Sequence, residues 1–530
     1  MKRQSGILLH ISSLPGPDGI GSMGKEAYQF ADFLHAANMG IWQVLPMGPT
    51  GYAESPYQST SIFAGNPMLI SIDKLAENGW LDLSDAERFI PKDLDKVDFP
   101  SVQEYKWALL RKAFAASERK LKKAIQQFAD ENDWLRDFAL FTAVKNHFDK
   151  MMWTKWPDKA IMMREPEAVA KYTKKLDKEI RFHMWCQYVF AQQWYALKEY
   201  CNGLGIQLFG DMPIYVAEDS ADTWTKPEVF QLDKDRVPRR VAGVPPDYFS
   251  EDGQLWGNPL YRWSYLKSKG YDWWVKRMAH MGKMYDIIRV DHFIGFANYF
   301  SVAHGAPNAR GGHWVIGPGE DLFKVLNKKL PGLNIVAEDL GAVNDRVREV
   351  IAFTGYPGMK VLSFAFGADD SNVHMPENVP INTAYYTGTH DNVTALARVT
   401  SCTEAELKSA KEITGFEMIV DAPWAFVKTV FACRARIAMA AMQDILGLGD
   451  WATMNRPGTV GGNWLWRMKP GVTTPELAEK LRKLNEECKR QMEVADDEYE
   501  DVEEEPIEDE EEEEDEEKEP AEAETEKETK

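Results

Sequence analysis

Five acids in this chain stand where a short apolar run stops. Asp211 closes "GIQLFGD", Asp291 closes "DIIRVD", Glu338 and Asp339 close "NIVAED", and Asp391 closes "TAYYTGTHD". Each run reads as a buried strand. In a parallel barrel all strand C-termini open on one face, and chemistry is done there. Acids gathered at one face repel one another, so the pattern needs a reason. A bland one is that each acid caps the helix after it, a role that suits Asp391 with Asn392. Clustered carboxylates otherwise serve divalent metal binding or glycosyl transfer, which pairs an ionised carboxylate with a protonated one. Arg289 separates these two. It lies two residues before Asp291, so both side chains leave the strand on one face. A cation there keeps Asp291 ionised, as a nucleophile requires, and competes with a metal for it.

Other chemistries drop out on spacing. "GIGSMG" (Gly19–Gly24) matches the dinucleotide fingerprint, but it does not directly follow a strand and no acid ends the next one. A tight turn is the better account. The ten His form no HExxH or similar ligand pattern, and GxSxG and GxxxxGK[ST] are absent. Neither a cofactor nor a metal is expected. The five Cys are scattered with no CxxC, which suits a reducing cytoplasm.

The elements that must position the acids are apolar runs separated by helical patterns. Besides the four above, "GILLHIS", "GIWQVLP", "MLISI" and "GMKVLSFAF" read as strands. "KEAYQFADFLHAAN" carries Ala27, Phe30, Ala31 and Leu34 on one helical face. Alternation of this kind gives a parallel sheet covered on both sides. Residues 73–204 are mostly helical in pattern and too long for a loop, so they read as a helical subdomain inserted in an α/β body. Residues 236–263, rich in Pro, Gly and aromatics, read as a long functional loop.

The net charge of −21 is misleading. Residues 496–530 hold 23 Asp/Glu against 3 Lys, a net of −20, which leaves −1 for the first 495 residues. That tail cannot bury apolar surface and is expected to be disordered. No apolar stretch approaches the ~18 residues of a membrane span, and no targeting segment is evident. The 18 Trp are numerous; most belong to the core, and some suit sugar stacking.

At these residues the sequence resembles a known family. "SSLPG", "GYAESPYQSTSIFAGNP", "FGDMPIYVA", "AGVPPDYFSEDGQLWGNPLY", "IRVDHFIGF", "VAEDLG", "TGTHDN" and "MNRPGT…GNWLWR" match, in order and spacing from about Ile7 to Arg467, the amylomaltases. These are the bacterial 4-α-glucanotransferases of glycoside hydrolase family 77, relatives of the α-amylases. The resemblance implies a (β/α)₈ TIM barrel in residues 1–495 with inserted helical subdomains. It implies Asp291 as nucleophile after strand four, Glu338 as general acid/base after strand five, and Asp391 as the third carboxylate after strand seven. It also implies substrate-binding roles for Tyr52, Tyr57, Asp211, Asp247, Phe249, Gln254, Trp256, Arg289, His390 and Asn455, with Asp247 to Trp256 on a loop over the cleft. The implied partners are an α-1,4-glucan donor and a sugar acceptor, with neither nucleic acid nor membrane. α-Amylases carry Asn-His shortly after the strand-three Asp; here Asp211 is followed by Met-Pro-Ile-Tyr. The competing readings are a retaining α-glucan hydrolase, which shares these carboxylates, and a glucan binder with a dead barrel, which would lack one of them.

Overall fold

The computed structural model describes residues 3–85, 89–246, 250–341 and 343–490. The acidic segment 496–530, and the disorder expected of it, lie outside the described residues. In chain order the strands are β1 (Gln4–Leu8), β2 (Ile41–Gln43), β3 (Gln207–Pro213), β4 (Arg240–Val244), β5 (Gln254–Pro259), β6 (Ile287–Asp291), β7 (Asn298–Ala303), β8 (His313–Ile316), β9 (Ile335–Ala337), β10 (Gly358–Val361), β11 (Thr383–Tyr386) and β12 (Ile437–Ala441).

Eight of them form one parallel sheet in the order β10-β11-β12-β1-β2-β3-β6-β9. The sheet closes on itself between β9 and β10, where the Ala337 N–H donates to Pro357 O at 2.8 Å. Asp339 reinforces this seam. Its carboxylate accepts from the Met359 N–H at 2.7 Å and pairs with Lys360 Nζ at 3.0 Å. Gly358 is needed for the approach, since a Cβ there would lie 2.8 Å from Asp339 Oδ2. The expected (β/α)₈ barrel is therefore observed, with Asp339 serving the seam.

Strands buried on both faces read as near-continuous apolar runs, and their period of two sorts the residues. Leu208, Ile288, Val290, Ala337 and Tyr385 point outward into the layer packed against the helices. Phe209, Ile287, Val336, Ala384 and Tyr386 point inward and fill the barrel. Two residues beyond each inward apolar residue the column reaches the mouth. Phe209 leads to Asp211, Ile287 to Arg289 and then Asp291, and Val336 to Glu338. The polar residues are thus the top of the same columns that make the core.

Three local readings are corrected. "MLISI" is not a strand: Pro67–Leu69 is a 3₁₀ turn capped by the Asn66 side chain, and Ser71 caps a helix at Ile72–Glu77. Pro67 at the first helical position and the two caps outweigh the apolar composition. The eighth barrel strand is "IAMAA", whose Ala and Met are poor β formers and resemble helix. Residues 236–263 are not all loop, because β4 and β5 form a hairpin there. With β7 and β8 they build an antiparallel sheet ordered β5-β4-β7-β8. The first pair follows β3 and the second follows β6, neighbouring barrel strands, so both insertions leave the same face side by side and pair. Between β2 and β3 run the helices Phe99–Glu131, Leu135–His147, Pro166–Lys175 and Asp177–Gly203.

Candidate active site

The register places Asp211 beside Arg289 and Pro213 beside Asp291 on the adjacent strands β3 and β6. Arg289 is 3% exposed and Asp211 is 2% exposed. Arg289 Nη1 donates to both Asp211 oxygens at 2.8 and 2.7 Å and meets Asp291 Oδ1 at 2.8 Å. Burial works against the guanidinium charge, but the charges of Asp211 and Asp291 outweigh it and hold Arg289 well above its ordinary value. The Tyr57 hydroxyl donates to Asp211 Oδ2 at 2.7 Å. Burial keeps that phenol protonated, well above its usual range.

Glu338 follows β9. Val290 of β6 pairs with Ala337 of β9, so Asp291 and Glu338 extend from neighbouring strands one step further on. Glu338 is 7% exposed and accepts the His292 N–H at 2.7 Å and the Leu340 N–H at 2.8 Å. Burial pushes its carboxyl up to about 8; Arg289 and the two N–H groups oppose this, and the Asp291 charge adds to it. Its burial thus favours the protonated acid. His292 takes up a left-handed conformation, φ 52°, rare for a residue with a side chain. That turn aims its N–H at Glu338 and sets its ring perpendicular to Trp256, 4.8 Å between centroids.

Asp391 follows β11. Asn455 Nδ2 donates to Asp391 Oδ1 at 2.6 Å, and His390 Nε2 lies 3.3 Å from Oδ2. Burial would raise its carboxyl, but the His390 charge and the bonds from His390 and Asn455 prevail and hold it at about 2. His390 is raised in turn: burial lowers it and Asp391 more than compensates. Its ring stacks on Tyr57, 5.0 Å between centroids with 15° between planes. The capping explanation fails. Thr394 caps the helix after Asp391 and Asn344 caps the helix after Glu338.

Asp291, His390 and Asp391 border an open cleft lined also by Tyr52, Tyr57, Gln254, Trp256 and Asn455, and Glu338 sits behind its wall beside Asp291. Gln254, Trp256 and Asn258 alternate along β5 and so share the face turned to the cleft. Two of the expected substrate-binding residues stand elsewhere: Asp211 and Arg289 are not on the cleft wall but behind it, each consumed by the other and by Asp291 or Tyr57. Asp247 and Phe249 lie outside the described residues. His292 and Trp464 also line the cleft; their only signal in the sequence is that they stand inside "RVDHF" and "GNWLWR".

A buried carboxyl that holds its proton, on the strand next to a carboxylate ion-paired with an arginine, is the pairing that cleavage of a glycosidic bond uses. Fold and site together define a barrel enzyme that works on carbohydrate. A profile of the 4-alpha-glucanotransferase family, glycoside hydrolase family 77, matches residues 9–474, and the chain belongs to that family. It is 44% identical to the 4-alpha-glucanotransferase of Streptococcus pneumoniae, over 91% of this chain and 96% of that one. It is 42% identical to the 4-alpha-glucanotransferase of Thermus thermophilus, over 92% and 99%. The structure of an amylomaltase from Streptococcus agalactiae in complex with acarbose superposes with a TM-score of 0.89 at 40% identity, covering 92% of this chain and 100% of that one. The chain is an enzyme that transfers segments of α-glucan, and the hydrolase and dead-barrel readings are set aside. Among the described residues no helix is long and apolar enough to cross a membrane.

Proposed function

We propose a retaining double displacement on α-1,4-glucans with Asp291 and Glu338 as its working pair. Asp291 attacks the anomeric carbon while Glu338 gives its proton to the departing glycosidic oxygen, and the bond between them breaks. The 4-OH of an acceptor sugar then attacks the glucosyl–Asp291 ester. Glu338, now a base, takes the hydroxyl proton, and Asp291 leaves as carboxylate. Asp391, held ionised, faces the positive charge that develops on the sugar. Asn455 and His390 orient it, and Tyr57, Gln254 and Trp256 grip the glucan.

The observation that carries this reading is the contrast in surroundings of the two carboxyls, one ion-paired and one buried. Arg289 supplies Asp291 with a permanent cation, whereas buried Glu338 keeps its proton up to about 8. Adjacent strands lie about 4.8 Å apart, close to the roughly 5–5.5 Å between carboxyls in retaining enzymes. Asp211 is a support in this scheme: it fixes Arg289 and Tyr57 and does not touch sugar. The helices of residues 73–204 form the inserted subdomain, and all five cysteines are free, in keeping with a reducing cytoplasm.

The test is a chromatographic assay of maltotriose. Wild type is expected to yield glucose and longer oligomers. Asp291→Asn is expected to yield neither while keeping the wild-type circular dichroism. Near-normal disproportionation by that variant would remove Asp291 from the role.

A further inference from the structure

Tyr52 is the most exposed aromatic on the cleft wall, with 72% of its surface open to solvent. The turn that carries it, Tyr52–Glu54, is strained. Ala53 has φ 53° and ψ 29°, and Glu54 has φ 57°. Two consecutive left-handed residues with side chains persist only where the surroundings over-determine them. Besides the Ser55 N–H on Tyr52 O, one carboxylate ties the turn to its surroundings. Glu54 Oε2 accepts from the Thr50 hydroxyl at 2.7 Å, and Oε1 accepts from Gln103 Nε2 at 2.9 Å.

Gln103 belongs to the helix Phe99–Glu131, and the base of that helix is itself fixed. The Asp98 side chain caps it. Three residues beyond Gln103, the fully buried Lys106 donates from Nζ to Met68 O at 2.8 Å and Ile70 O at 2.7 Å. A rigid path therefore runs from the segment Met68–Ile70 through Lys106, the helix, Gln103 and Glu54 to the turn. Tyr57, five residues after Tyr52 on the same segment, is fixed independently by Asp211.

The geometry points to Glu54 as a positioning residue, braced by Gln103, that holds Tyr52 at the rim as a platform for sugar units of α-1,4-glucan beyond the reach of short substrates. The inference rests on the reading of this cleft as a glucan site. A flat aromatic recognises a sugar face at low cost only if it is already in place. Released from Glu54, the strained pair relaxes, Tyr52 wanders, and a long glucan must order it on binding. Nothing changes at the carboxylates. The loss falls on KM and only on substrates long enough to reach the rim, and the helices between β2 and β3 acquire a role in reading glucan length.

The experiment measures kcat and KM on maltotriose and on amylose for wild type and for Glu54→Ala, Gln103→Ala, Glu54→Gln, Glu54→Gly and Tyr52→Ala. Glu54→Ala and Gln103→Ala are expected to raise KM for amylose roughly three- to tenfold, leaving kcat and both maltotriose constants within twofold. Glu54→Gln, which still offers Gln103 an acceptor, is expected to recover most of the loss. Glu54→Gly, which relieves the strain but has no carboxylate, is expected to behave like Glu54→Ala. If Tyr52→Ala raises KM for amylose and neither Glu54→Ala nor Gln103→Ala does, the brace is refuted while the glucan cleft stands. If Tyr52→Ala leaves amylose kinetics unchanged, the platform itself is refuted, and with it the brace. Equal losses of kcat on both substrates would mean a general structural role and would also overturn the proposal. Gln103→Ala tests the same point should Glu54→Ala fail to fold.

Discussion

Arg289 and Arg490 are both buried in this barrel, at opposite ends, and they are held in opposite ways. Arg289, at the C-terminal mouth, faces side-chain acids: both oxygens of Asp211 and one of Asp291. Arg490 donates to main chain. Its Nε donates to Phe431 O at 2.8 Å, Nη1 to Gln4 O at 3.0 Å and Ala435 O at 2.8 Å, and Nη2 to Cys433 O at 2.7 Å. Gln4 opens β1 and Ala435 lies just before β12, so this arginine ties together the N-terminal ends of the strands. Arg3 and Asn485 do the same nearby, Arg3 onto Cys488 O and Cys433 O at 2.6 Å each, and Asn485 onto Ala37 O at 3.0 Å. One end of the barrel concentrates charge that has to be neutralised; the other turns charge onto buried main-chain carbonyls. The first arrangement costs stability and supports chemistry, and the second does the reverse.

The widest separation is expected from Asp291→Asn. It removes one of the mutually repelling acids, so the denaturant midpoint should hold or rise, while kcat on maltotriose falls on the order of 10⁴-fold or more. A fall in midpoint matching the loss of activity would dissolve the contrast between the two ends. Next is Arg490→Met. Four buried carbonyls lose a donor, of which Cys433 O keeps Arg3, and the unfolding free energy should drop by about 3–5 kcal/mol, read from guanidinium titration, with kcat at 25 °C within twofold of wild type. A normal midpoint would show that the staple is redundant with Arg3. Arg289→Lys comes third. It keeps a charge but not the planar fork, and a single ammonium cannot hold Asp211 and Asp291 in the same geometry. A roughly 10²-fold loss of kcat with a midpoint drop smaller than that of Arg490→Met is the expected signature.

The comparison also explains what could be read from the sequence. Arg289 announces itself because its partners are side chains at fixed offsets: two residues from Asp291, at the end of an apolar run, in a series of strands that each end in an acid. Arg490 announces nothing, since carbonyls belong to every residue and sequence does not show which ones the fold brings together. The same divide runs through the elements. β3, β6 and β9 are legible from branched and aromatic residues ending in charge. β12 is not, because its Ala and Met pack against the closed barrel and take strand geometry from their neighbours rather than from propensity. Asp211 was legible as part of the site but not as its support. Burial and the bonds from Arg289 and Tyr57 decide that, and both depend on the register of β3 against β6. The strained turn at Ala53 and Glu54 had no signal at all, because no glycine marks it.

The smallest effect is one of slope, at Glu338. An ordinary glutamate titrates near ~4.3, whereas burial holds this one at about 8 in the folded protein. Between those two pH values the folded state keeps a proton that the unfolded chain has lost, so stability must fall as pH rises through the window and level off above it. Glu338→Gln removes the titration. The glutamine cannot accept both the His292 and Leu340 N–H groups, which adds an offset that does not vary with pH. The difference in melting temperature, variant minus wild type, is therefore expected to climb by about 4 °C between pH 4 and pH 8 whatever its sign at the start. Wild-type turnover should decline over the upper part of the same range as the acid loses its proton. A flat difference would mean that Glu338 is already ionised at neutral pH. The mouth of the barrel would then hold two like carboxylates instead of an acid and a nucleophile, and the proton for the leaving oxygen would have to come from elsewhere.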